Sequence, residues 1–188
     1  MTTDATRPTS TKPARRTRRS ARGFTLIEAA LATIVLGTGM VAMIVAQRAF
    51  IAQNEWSTLS SAAQRLGNEV RELTMRMPAT DPVTGDDAWG AETGEDGVAD
   101  FDDLDDFDGA VFSWLDGSGP ISALGAPIVD MDGWTQRVAV EFVDDFDLTE
   151  VVDAGASDMV RVTVVVEFTA PGEEDAREMA RVTWLAPR

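Results

Sequence analysis

The sequence predicts an α+β fold. It comprises one long N-terminal α-helix, with a transmembrane half and then an amphipathic half, packed on a small antiparallel β-sheet. Three observations predict it. Residues 24–46 form an apolar run of 23 residues with one charged side chain, Glu28, enough for a helix to span a bilayer. Apolar residues then recur at three- and four-residue intervals up to a proline. Beyond an acidic stretch, three segments alternate apolar and polar with a period of two, as strands with one buried face do.

The first 22 residues are rich in Thr, Ser, Pro and Arg and lack apolar periodicity, which reads as a disordered basic head. They hold Arg7, Lys12, Arg15, Arg16, Arg18, Arg19 and Arg22 against a single acid, Asp4. Basic residues flank the apolar run on this side only, so the positive-inside rule predicts a cytoplasmic N-terminus and an exported C-terminus. A secretory signal peptide is a poorer match. Its apolar region is much shorter than this one, and no small-x-small site ends the run.

The amphipathic half occupies residues 47–77. Leu59, Ala63, Leu66, Val70, Leu73 and Met77 share one helical face, and Pro78 ends the pattern. A single helix over 24–77 would be about 80 Å long at 1.5 Å per residue. Residues 78–110 turn to Asp, Glu, Gly and Pro and read as an acidic loop. The exported sheet domain occupies 111–188. Its predicted inward-facing sets are Val138, Val140 and Phe142; then Val160, Val162, Val164, Val166 and Phe168; then Ala180, Val182 and Trp184. A shorter strand is expected at 111–115. Turn residues at 153–158 and 171–175 make the strands antiparallel neighbours.

Composition excludes several chemistries. The 188 residues carry 16 basic and 32 acidic side chains, a formal net charge of -16. Beyond the basic head the imbalance deepens to 9 basic against 31 acidic. Such a body repels phosphates, so no nucleic acid is expected on it. Cys and His are absent, which removes the usual zinc sites, thiol nucleophiles and Ser-His-Asp triads. Lys12 is the only lysine, so the body has none for Schiff-base chemistry. Paired acids serve glycosidases, but nothing here suggests the apolar pocket that raises one carboxyl pKa, and no enzyme is expected.

Glu28 is the anomaly of the apolar run, because an acid in a membrane helix costs a few kcal/mol unless it is paired. It could snorkel to the headgroups or await a partner. Here the residues carry a resemblance. Arg22-Gly23-Phe24-Thr25-Leu26-Ile27-Glu28 resembles the type III signal motif of type IV prepilins and type II secretion pseudopilins. The resemblance implies a pilin-like fold and cleavage by a prepilin peptidase between Gly23 and Phe24. It also implies removal of 1–23 as a leader, N-methylation of Phe24, and an assembly role for Glu28 as fifth residue of the mature chain. The cationic amine of Phe24 in one subunit would meet the Glu28 carboxylate of another.

Gly37 matches the family's fourteenth-position glycine. It and Gly39 suit either close helix packing or local unwinding. Val45 departs from the pattern, since many major pilins have Pro at that place. This favours a minor pilin or pseudopilin. The implied partners are the peptidase, other pilin or pseudopilin subunits and the bacterial inner membrane. The implied destination is a surface or periplasmic filament. The alternative is a non-assembling single-pass anchor whose exported head binds calcium or another ligand.

The acidic loop carries Asp102, Asp103, Asp105, Asp106 and Asp108 around Phe101, Leu104 and Phe107. The three apolar residues are expected to tack the loop to the domain with the acids outward. The carboxylates read either as a solvated loop or as calcium ligands, although the EF-hand template fails: its first and twelfth ligand positions would be Leu104 and Leu115. The run 102–109 also resembles a DD-hydrophobe-DD-aromatic-x-G element of minor pilins of the type IV and mannose-sensitive haemagglutinin (MSHA) pilus kind.

Overall fold

The computed structural model describes residues 23–79, 81 and 89–188. The basic head up to residue 22 and part of the 78–110 loop lie outside the described residues. One α-helix, α1 (Leu26–Thr74), precedes a sheet of four strands: β1 (Val111–Ser113), β2 (Trp134–Val143), β3 (Met159–Phe168) and β4 (Arg177–Pro187). The strands lie in the order β1-β2-β3-β4, each antiparallel to the next. The chain divides into two units between Ala49 and Phe50.

In the first unit, the apolar side chains from Leu26 to Val45 are exposed. The helix is unbroken through Gly37 and Gly39, where an added Cβ would meet nothing within 4 Å. Neither glycine is therefore demanded by the fold of the isolated chain, and neither unwinds it. This is the one described helix long and apolar enough to cross a membrane.

In the second unit, α1 packs on the sheet through Ala63, Leu66, Gly67, Val70 and Thr74. Leu59, Leu73 and Met77 lie at the margin of the same core. The predicted face is thus observed, and the helix is shorter than the predicted 24–77. It stops at Thr74, whose hydroxyl donates to the Val70 carbonyl at 3.0 Å, and turns carry the chain to Pro78. Gly67 allows the closest approach: a Cβ there would lie 2.5 Å from Cγ2 of Val182 on β4. Val is stiff at χ1, so the helix can seat on the sheet only where it offers no side chain.

Alternation places Val138, Val140 and Phe142 of β2 inward, with Val160, Val162, Val164 and Val166 of β3 fully buried. β4 is one of the two edge strands and is only half-covered. Its register slips beside Val166 and Glu167, so adjacent Met179 and Ala180 both turn inward. The connection from β1 to β2 doubles back over the sheet, tied by a bridge between Ile121 and Pro127.

Gln136 joins the three parts. It is fully buried in β2. Its Oε1 accepts from Ile121 N–H at 2.7 Å, and its Nε2 donates to the Leu66 carbonyl at 2.8 Å and the Ile121 carbonyl at 3.2 Å. One amide therefore links sheet, helix and connecting loop. Gln136→Leu keeps the volume but strands the Ile121 N–H in the core. It is expected to destabilise the detergent-solubilised chain by about 1–3 kcal/mol in chemical unfolding. An unchanged unfolding midpoint would mean that water reaches these groups.

Candidate functional site

Two places draw chemistry-bearing residues together. The first is the start of α1. Thr25 is the N-cap: its carbonyl accepts the first helical hydrogen bond, from Ala29 N–H at 3.1 Å. Its hydroxyl oxygen faces Glu28 N–H at 3.3 Å, and Glu28 Oε2 accepts from Thr25 N–H at 3.2 Å. The Thr25 hydroxyl also lies 3.3 Å from Glu28 Oε2. This reciprocal pair is a capping box, formed by Thr25-Leu26-Ile27-Glu28. It satisfies donors that the first turn leaves orphaned, and it sets an acid at the positive end of the helix dipole.

The pattern was present in the sequence as Thr-x-x-Glu before an apolar run, so a signal for the cap existed there. Gly23 and Phe24 precede the cap, with Phe24 80 % exposed. The other polar side chains of residues 24–46 are Thr33 and Thr38. Thr33 donates to the Ala29 carbonyl at 2.9 Å, and Thr38 to the Ile34 and Val35 carbonyls at 3.0 Å. Every polar side chain in the apolar run is thus hydrogen-bonded within its own helix.

The second place is the acidic loop. Leu104 and Phe107 anchor it as expected, fully buried, with Phe101 stacked edge-on to Phe107 at 5.0 Å. The expectation that the acids point outward needs correction. Asp103, Asp105 and Asp106 are buried, whereas Asp102 and Asp108 are exposed. A 3-10 turn, Asp105–Phe107, explains part of this. Asp103 Oδ1 accepts from Asp105 N–H at 3.0 Å and Asp106 N–H at 3.3 Å. Asp106 Oδ2 accepts in return from Asp102 N–H at 2.9 Å and Asp103 N–H at 3.3 Å. Side chains that cap their own turn must fold in over it.

The five aspartates do not form one cluster. Carboxylate oxygens of Asp102, Asp103 and Asp106 lie within 4.8 Å of one another, and so do those of Glu92, Glu95 and Asp106. Glu92 and Glu95 were not among the expected ligands. They come from an upstream segment whose approach to the turn has no local signature. Asp108 has a different task. Its Oδ1 accepts from Val140 N–H at 3.0 Å and its Oδ2 from Trp89 Nε1–H at 3.0 Å. It pins the loop to β2 and to Trp89, which itself packs on Phe142 with ring centroids 4.9 Å apart.

Burial pushes the Asp105 carboxyl up from 3.8 to about 8, aided by the neighbouring carboxyls of Asp103, Asp106 and Glu92. Burial also raises Asp106, against the opposing pull of the Asp102 and Asp103 N–H groups. With cations chelated, the folded chain holds a proton on Asp105 that the unfolded chain releases above pH 3.8. Stability of the chelated protein should therefore fall as pH rises between about 4 and about 8. Thermal melts in a chelating buffer series check the sign, and melting temperatures rising steadily across that window would contradict it.

No protein-family model, curated protein or solved structure matches this chain.

Proposed function

We propose that this chain is a minor pilin or pseudopilin, a non-catalytic subunit held in a bacterial inner membrane by the first half of α1. A prepilin peptidase would cut between Gly23 and Phe24. The mature subunit would then enter a type IV pilus or a type II secretion pseudopilus. The observation that carries the reading is the run from Phe24 to Ala46, in which every polar side chain is hydrogen-bonded within the helix while the apolar ones face outward. A helix in hydrocarbon must satisfy its own polar groups, since no water is there to do so. The resemblance of Arg22-Gly23-Phe24-Thr25-Leu26-Ile27-Glu28 to the prepilin signal supplies the rest. The arginines before Gly23 support an orientation with the N-terminus cytoplasmic and the sheet domain exported.

In this reading Glu28 acts twice. In the single subunit it caps α1. In the filament its charge meets the amine that cleavage creates on Phe24 of a neighbour. Two opposite charges in a low-dielectric setting offset each other's desolvation, and this fixes the stagger between subunits. The cap also favours a second reading, a plain anchor, because an acid already bonded to its own turn has less need of a partner.

Glu28→Gln separates the two. A capping box accepts Gln as well as Glu, so the substitution keeps the cap and removes only the charge. Insertion and cleavage should proceed as in the wild type, because leader charges and the Gly23–Phe24 junction are untouched. The share of processed chain in sheared filaments should fall by tenfold or more, on the order of the 1.4 kcal/mol that a factor of ten represents. Glu28→Asp should be intermediate. Equal incorporation of wild type and Glu28→Gln would show that assembly does not need the carboxylate, and absence of the wild-type chain from sheared filaments would establish the plain anchor instead.

A further inference from the structure

The buried carboxylates of the 3-10 turn are short of partners. Asp103, Asp105 and Asp106 are 0 %, 1 % and 3 % exposed. Four of their six carboxylate oxygens, Asp103 Oδ2, both oxygens of Asp105 and Asp106 Oδ1, are buried with no hydrogen-bond partner. Among the described residues, the ion pairs Arg137–Glu167, Arg161–Glu141 and Arg181–Glu178 all lie away from these three aspartates. Buried polar atoms in folded proteins are nearly always satisfied, and buried charges are paired or bind metal. The backbone N–H groups of residues 102, 103, 105 and 106 are already spent on Asp103 Oδ1 and Asp106 Oδ2, so the turn has no further donors to offer there.

We propose that this loop is a divalent-cation site and that its ion is calcium. Asp106 is the pivot, because it belongs to both groups of converging oxygens, one with Asp102 and Asp103 and one with Glu92 and Glu95. Asp105 belongs to neither group, but it feels the charges of Asp103, Asp106 and Glu92, and both its carboxylate oxygens are buried. The donor set is all carboxylate, in a chain with neither His nor Cys. Hard oxygen donors select calcium or magnesium over transition metals. Calcium takes six to eight oxygens in flexible geometry, whereas magnesium demands a near-ideal octahedron and keeps several waters. Crowded carboxylates from two chain segments fit the former. The ion would tie the 92–95 segment to the turn at 102–106, and through Asp108 to Trp89 and β2. The assignment is independent of filament assembly.

The test uses the full chain in detergent micelles, stripped with a chelator and dialysed. Calcium chloride and magnesium chloride are titrated separately, with heat, melting temperature and tryptophan fluorescence as readouts. Trp89 reports locally because it bonds to Asp108. Calcium should bind and raise the melting temperature, and magnesium should do so at least about tenfold more weakly. Asp106→Asn should abolish the calcium-dependent shift. Asp102→Asn, at an exposed side chain, should leave the fold intact and weaken calcium by about tenfold or more. If Asp106→Asn does not fold, Asp102→Asn decides. Asp130→Asn, outside the cluster, should bind like the wild type. Absence of heat and of any melting shift at about 10 mM calcium would overturn the site. So would calcium binding that survives both substitutions in the cluster. An equal response to magnesium would overturn the choice of ion.

Discussion

Gln136 sits where helix, sheet and connecting loop meet, and the sheet domain depends on what its amide does there. A fully buried amide must find partners for both ends, and it finds them in the Leu66 carbonyl and in both backbone groups of Ile121. Gly67, the next residue on the helix, presents no side chain to Val182. Together the two fix where α1 sits on the sheet: Gly67 permits the approach and Gln136 fixes its register. Apolar packing of Ala63, Leu66 and Val70 supplies the larger driving force, but it is non-directional and would tolerate a slide along the helix. Polar groups removed from water confer specificity here, because each has few ways to be satisfied.

The same constraint runs through the other unusual features. Glu28 lies in an apolar helix and is bound into the cap of that helix. Thr33 and Thr38 bond back to carbonyls one turn earlier. The buried aspartates of the acidic loop satisfy two of their six carboxylate oxygens by capping their own turn, and the other four are the ground for the proposed ion. Asp108 accepts from Val140 and Trp89 and lies outside both groups of converging oxygens.

Periodicity made the main elements legible. The face of α1 and the inward residues of β2, β3 and β4 follow from apolar spacing, which is a direct image of burial. The parts that escaped are those where polar or small residues are buried. Gly67 and Thr74 belong to the helix face but carry no apolar signal, and Thr135 and Gln136 hid the true beginning of β2. Asp103, Asp105 and Asp106 escaped for a related reason. Acids are ordinarily solvated, and only the tertiary approach of residues 92–95 encloses them. The capping box is legible at Thr25 and Glu28 as Thr-x-x-Glu, although the cost of an acid in hydrocarbon equally suits a partner on another chain.

The central claim is that the apolar half of α1 becomes the N-terminal segment of a processed filament subunit, with Phe24 as its first residue. The most direct measurement is intact mass together with N-terminal sequencing of the chain extracted from membranes of cells with an active prepilin peptidase. The account predicts a mature chain that begins at Phe24 and carries one methyl group on its amine. A chain that still begins before Phe24 in those cells would contradict it and would leave the helix as an anchor alone.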